Sequence, residues 1–252
     1  MRRVSLGLSL SLVVLLVVGC GGFTGRGRAV AYGRVPYDLV DPSGTWLAEG
    51  DVAWGSGHTL QVSGPGPVFR IVRHDPAGQV VAYGVAIAEA GALFVGYGAS
   101  LDACQVAVYR AGAENVEGVW AGGTSPDLGT EEWQGLGVAE GPFLGDFATY
   151  GTNPGAHAIY RQRVATATGT GTVYDVRWYS STQEFYGTGV LRGDHLATAA
   201  ILAADANAAN VSWIAQGYGV AVYELTSGEG TVVVRTNPES AALLGHERLR
   251  RP

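Results

Sequence analysis

Lysine is absent. All 16 basic residues are arginine, so the chain cannot supply the lysine of a phosphate-binding loop, of a Schiff base or of a Ser-Lys dyad. Cysteine is nearly absent, with Cys20 and Cys104 the two present. No Gly-x-Ser-x-Gly elbow occurs. Each Gly-x-Gly, such as Gly187-x-Gly189 or Gly217-x-Gly219, lacks the third glycine and the following helix that a dinucleotide needs. The five histidines, His58, His74, His157, His195 and His246, stand too far apart for metal-ligand spacing. Helical periodicity is missing as well; the Ala-rich stretch at 199–211 is the one place that permits a short helix or an ordered loop. The arginines are scattered and form no basic stripe. Without Arg2 and Arg3, fourteen arginines face 22 acids, a formal charge of −8, which argues against a nucleic-acid partner. No metal, cofactor or catalytic residue is expected from this census. Finally, the apolar stretch at residues 4–18 is shorter than the roughly 20 residues that cross a bilayer as a helix.

That stretch is informative for another reason. Arg2 and Arg3 precede it, and it closes on Val17-Val18-Gly19-Cys20. A basic start, a short apolar run, and small residues before a cysteine resemble the bacterial lipoprotein signal, in which the thiol after the cut receives a diacylglycerol and the new amino end an acyl chain such as palmitate. The resemblance implies a signal peptide at 1–19, lipidation of Cys20 and attachment to the membrane through that lipid. Gly21 at the next position, rather than Asp, implies the outer membrane, at its periplasmic or outer face. Residues 20–36, rich in Gly and Arg, read as a tether. Residues 250–252 read as a tail, and the final HERLRRP as a loose end. With Cys20 lipidated, Cys104 has no intramolecular partner. Period two puts it on the face of Val106 and Val108, which predicts a buried, unreactive thiol.

Between these ends the pattern predicts an all-β chain. Glycine makes up 39 of 252 residues, and turn clusters such as SGPGP, DPAG and TSGEG separate short β-branched and aromatic runs every 8 to 12 residues or so. A repeat organises the runs. Val68-Phe69-Arg70-Ile71 matches Val173-Tyr174-Asp175-Val176, Tyr83 to Ile87 matches Tyr186 to Val190, and Val106-Ala107-Val108-Tyr109 matches Val220-Ala221-Val222-Tyr223. Gly44, Trp46 and Gly50 echo Gly145, Phe147 and Gly151, and Gly129-Thr130-Glu131 echoes Gly245-His246-Glu247. Five matches in one order predict two tandem units, 37–135 and 136–249. Each is expected to be an antiparallel meander of about eight short strands closed into a small barrel. In the first unit the strands start near Trp46, His58, Val68, Val80, Ala92, Gln105, Val116 and Thr130.

The closed antiparallel meander resembles the calycin architecture of lipocalins and avidins. More narrowly, Gly91-Ala-Leu-x-Val, Cys104-x-Val-Ala-Val-Tyr, Gly118-x-Trp120 and Gly129-Thr-Glu resemble a repeat of exported bacterial proteins without assigned function. That resemblance implies a fold and carries no catalytic residue.

Glu131-Glu132 and Asp194-His195 are the acid-base pairs the sequence offers. Neighbours on a strand face opposite ways, so Glu131-Glu132 reads as a solvated strand end, and His195 reads as a residue of a surface turn. Trp46, Trp120, Trp133 and Trp178 read as barrel core; Trp54 and Trp213, near turns, are the candidates for ligand or partner contact. The leading function is a non-catalytic, lipid-anchored envelope module that binds or scaffolds, with an envelope protein or a small apolar ligand as partner. A lipocalin-like carrier of a small apolar or aromatic compound is the alternative, and an envelope polysaccharide hydrolase the third.

Overall fold

Sixteen strands follow one another in the computed structural model, which describes residues 41–50, 56–137, 141–154, 159–202, 218–235 and 242–252. Cys20, the tether, Trp54, Trp213 and the stretch 203–217 lie outside them. The strands are β1 Gly44–Gly50, β2 His58–Ser63, β3 Val68–His74, β4 Val80–Glu89, β5 Ala92–Gly98, β6 Gln105–Ala111, β7 Asn115–Gly122 and β8 Gly129–Gly135, then β9 Gly145–Thr152, β10 Ile159–Thr170, β11 Val173–Tyr179, β12 Glu184–Arg192, β13 His195–Leu202, β14 Tyr218–Glu224, β15 Glu229–Arg235 and β16 Leu243–Arg250. A 3-10 turn, Leu101–Ala103, leads into β6. The first eight strands begin within a residue or two of the starts expected from the turn clusters.

Every pairing is antiparallel, and the strands form two eight-stranded barrels. One runs β1-β16-β15-β14-β5-β4-β3-β2 and returns to β1; the other runs β10-β11-β12-β13-β6-β7-β8-β9 and returns to β10. The first, the terminal barrel, is built from both ends of the chain. The second, the central barrel, is the continuous segment between them.

This partition corrects the tandem boundary at 135/136, which falls inside the central barrel. The repeat itself is intact: by the sequence matches β1 to β8 correspond to β9 to β16. What differs is which copy supplies the last three strands. The terminal barrel takes strands one to five from the first copy and six to eight from the second, and the central barrel takes the reverse. Both closures have the same registers. Leu93 faces Tyr223 across β5–β14 where Leu196 faces Tyr109 across β13–β6, and Gly50 faces Glu247 where Gly151 faces Glu131. The copies have exchanged their three C-terminal strands. Because Val106-Ala107-Val108-Tyr109 and Val220-Ala221-Val222-Tyr223 present nearly the same edge, local pairing does not distinguish the exchanged from the unexchanged closure.

The exchange forces the barrels together, and Asp38–Pro252 forms one compact unit. Val85, Phe94, Val106, Val108, Val119, Val220 and Val222 form an apolar cluster between the two walls. Strand β5 is therefore buried along its whole length, one face inside its barrel and the other against the neighbouring one. Gly96 sits where β5 crosses β6; a Cβ there would fall 2.0 Å from the Gln105 carbonyl oxygen. Two ion pairs flank the seam. Arg110 on β6 bonds Glu89 on β4 at 3.0 Å, and Arg192 on β12 donates from Nε to Glu224 on β14 at 3.0 Å. These are equivalent positions of the repeat with the charges reversed.

The end of the chain needs a second correction. The first five residues of HERLRRP, His246 to Arg250, belong to β16, which pairs with β1 and β15 and closes the terminal barrel. Gly245, Glu247 and Leu249 point inward while Leu244, His246 and Arg248 are exposed, so the alternation that buries one face also holds this strand in place. Beyond it the Arg251 guanidinium lies over the Trp46 ring, 4.5 Å from the centroid.

Candidate functional site

Along an antiparallel barrel, alternate strands start at the same end. The starts of β6, β8 and β12 and the ends of β7, β9, β11 and β13 therefore meet at one mouth of the central barrel. A cavity of about 320 Å³ opens there. Trp120, Trp178 and Phe185 supply aromatic lining, Glu131 a carboxylate, and Gln105, Asn153 and Gln183 neutral carboxamides.

Glu131 departs most from expectation. It is 6% exposed, because the inward face of β8 carries Glu131 and Trp133 while the outward face carries Glu132. One oxygen, Oε1, accepts three hydrogen bonds: from Trp133 Nε1 at 2.6 Å, Trp178 Nε1 at 2.9 Å and the Tyr109 hydroxyl at 3.0 Å. Charge-assisted donors of this kind offset the cost of taking a carboxylate out of water. Gly118, across the ladder from Tyr109, leaves space for the phenol ring; a Cβ there would come 2.3 Å from its Cδ1. The Trp133 ring then packs at a tilt between Tyr109 and Phe147, with centroids 4.2 and 5.3 Å away. Glu131 is thus the polar centre of an aromatic core, which corrects its reading as a solvated strand end. Glu132 does lie outside and accepts from Asn115 at 2.8 Å.

The terminal barrel holds the corresponding carboxylate, Glu247, with its side chain fully buried. Tyr223, the counterpart of Tyr109, donates to Glu247 Oε2 at 2.6 Å. Where the central barrel has Trp178, the terminal one has Arg73. Its Nη1 donates to Glu247 Oε2 at 3.1 Å and its Nη2 contacts Oε1, a two-point pairing, while Nε donates to His58 Nδ1 at 3.4 Å. Tyr97 and Tyr223 hydroxyls lie 3.3 Å apart. Burial pulls the Arg73 guanidinium down, but the hydrogen bonds of Glu247 and the surrounding charges outweigh it and leave its pKa raised. Burial, and then the Arg73 charge, lower His58. Burial pushes Tyr97 up to about 12. A buried guanidinium thus meets the glutamate in the terminal barrel, where the central barrel has the indole of Trp178.

The remaining sequence candidates separate. Asp194 is exposed at its turn, but His195 is 8% exposed, which corrects the surface-turn reading. Its Nδ1 lies 2.7 Å from Asp194, Nε2 accepts from Arg110 Nε at 2.6 Å, and its ring stacks on Phe94 of the other barrel at 5.6 Å. It belongs to the seam and lies far along the strand from the cavity. Cys104 is fully buried between the barrels, with its thiol pushed up to about 12 by burial, as the strand pattern required. Trp46, Trp133 and Trp178 are buried, and Trp178 lines the cavity together with the half-buried Trp120. Arg73, His58 and Glu247 have no site role in the sequence reading, although the match of Glu131 with Glu247 and the alternation in β16 both point to an inward glutamate. Among the described residues no His, Cys, Asp and Glu cluster could hold a metal. No family model matches the chain, and no curated protein or solved structure matches it significantly.

Proposed function

We propose that the protein is a lipid-anchored envelope binding module, without catalytic activity, that carries a small ligand in the mouth of its central barrel. The cavity of about 320 Å³ around Trp120, Trp178, Phe185 and Glu131 carries this reading. Its size lies within the range of small-molecule sites, and its mixture of aromatic surface with a few polar groups is what such sites use. Attachment rests on the leader and Cys20. Among the described lining residues Glu131 is the one carboxylate, whereas a glycosidase needs two flanking the bond, so the carrier reading is favoured over the hydrolase.

Native mass spectrometry of protein extracted from its host membrane in mild detergent tests the carrier reading. One retained small molecule per chain is expected, lost in Ala200→Phe, which fills the mouth. A cavity that stays empty in the native extract and takes up nothing from a ligand library would overturn it. The anchor is tested by Cys20→Ala, which should move the protein from the detergent phase to the aqueous phase.

A further inference from the structure

We propose that the guest of the central-barrel cavity is a neutral, hydroxyl-bearing ring of sugar size. This rests on the reading of that cavity as a binding site. The first observation is Thr198 on β13. It is 1% exposed and its Oγ1 has no hydrogen-bond partner, a state that native proteins rarely leave unexplained. Its neighbours Ala197 and Ala199 pack between the barrels, so Thr198 faces the interior of the central one. Directly across the ladder stands Ala107, and two residues along the same face stands Ala200; both line the cavity. The stranded hydroxyl is therefore next to the space a guest would fill.

The lining also selects by charge. Gln105 opens β6, Asn153 follows β9 and Gln183 precedes β12, and each carboxamide both donates and accepts. Hydroxyl groups do the same. Three of the polar groups among the described lining residues are neutral carboxamides against one carboxylate, a balance that suits a neutral guest better than an anion. A cation would meet a carboxylate whose Oε1 already takes three donors. A wholly apolar guest would leave Thr198 unsatisfied and strip water from the carboxamides, a loss that polar sites turn into rejection. A ring with hydroxyls around its edge and C–H groups on its faces meets both requirements, its edge on the carboxamides and Thr198 and a face on the Trp120 indole.

The test uses the full-length protein in detergent, with D-glucose, N-acetyl-D-glucosamine and the β-1,4-linked disaccharide of each as probes, read by calorimetry and tryptophan fluorescence. An anilinonaphthalene sulfonate dye serves as an apolar probe. Saturable one-to-one binding of at least one sugar is expected, weakened tenfold or more in Thr198→Val and in Gln183→Ala. Valine fills the volume of threonine without the stranded hydroxyl, so the melting temperature of Thr198→Val should hold or rise while affinity falls, a combination that a purely structural role does not produce. Dye uptake that no sugar displaces would overturn the ligand class and leave the cavity a binding site. Failure of sugars and dye alike would overturn both readings, and sugar binding indifferent to both variants would overturn the assignment to this cavity.

Discussion

Two glutamates at matching positions of the repeat are held in different ways, and the difference has measurable consequences. Glu247 is ion-paired inside a barrel with Arg73, both side chains fully buried. Removing one charge strands the other, so Glu247→Gln should cost about 3 to 5 kcal/mol in chemical denaturation. The double replacement Arg73→Met with Glu247→Leu should recover most of that loss, because hydrophobic isosteres often match a buried pair. A double variant no more stable than the single one would show that the pair contributes more than mutual neutralisation. His58 adds a pH dependence. Its folded pKa lies below the ordinary 6.5, so the unfolded chain binds its proton first as acid is added. The contribution of His58 is complete above about pH 6.5 and is lost as pH falls from there through the folded value. His58→Gln should flatten the stability profile in that window; an unchanged slope would place the titration elsewhere.

Strands show their surroundings in their patterns. β11 alternates as Val173-Tyr174-Asp175-Val176-Arg177-Trp178, with Tyr174, Val176 and Trp178 buried and Asp175 and Arg177 exposed, the pattern of a wall with one wet side. β5, β6 and β14 instead run apolar through Leu93-Phe94-Val95, Val106-Ala107-Val108 and Val220-Ala221-Val222. Such a run means burial on both faces, and these strands meet at the seam. The β16 strand is the least obvious element in the sequence, since five of its eight residues are exposed. Its role in closure makes it sensitive to truncation. A chain ending at 242 should lose the terminal barrel and keep the central one, seen as loss of one part of the thermal transition with the remainder preserved. A single undiminished transition would mean that the terminal barrel closes without this strand.

For the molecule as a whole, the strand exchange decides which pieces can fold. Residues 104–202 hold every strand of the central barrel in one stretch and should show a cooperative thermal transition when expressed alone. With Val106, Val108 and Val119 uncovered, that fragment should also self-associate, which sedimentation would detect. Residues 37–135 hold five strands of one barrel and three of the other, and should show no cooperative transition as a monomer. The reverse outcome would mean that the unexchanged closure is the stable one. The crossing at Ser100–Cys104, through the 3-10 turn and the buried thiol, is where the chain commits to the exchange.

Turn glycines, β-branched runs and a repeat at a nearly constant offset were enough to place about eight strands per copy and the inward face of β11, since pleat and turn chemistry act between neighbours in the chain. The buried face of Cys104 and the core position of Trp178 followed from the same period of two. The exchange did not, because strand six of either copy offers the same Val-Ala-Val-Tyr edge and the choice depends on the length and path of the connections. Nor did the burial of Glu131, whose partners Tyr109 and Trp178 lie 22 and 47 positions away and meet it only when the sheet closes. A charged residue at a strand end looks solvated until closure brings donors to it. The cavity is likewise a property of the closed barrel, since Gln105, Glu131, Trp178 and Ala200 line it together although they are far apart in the chain.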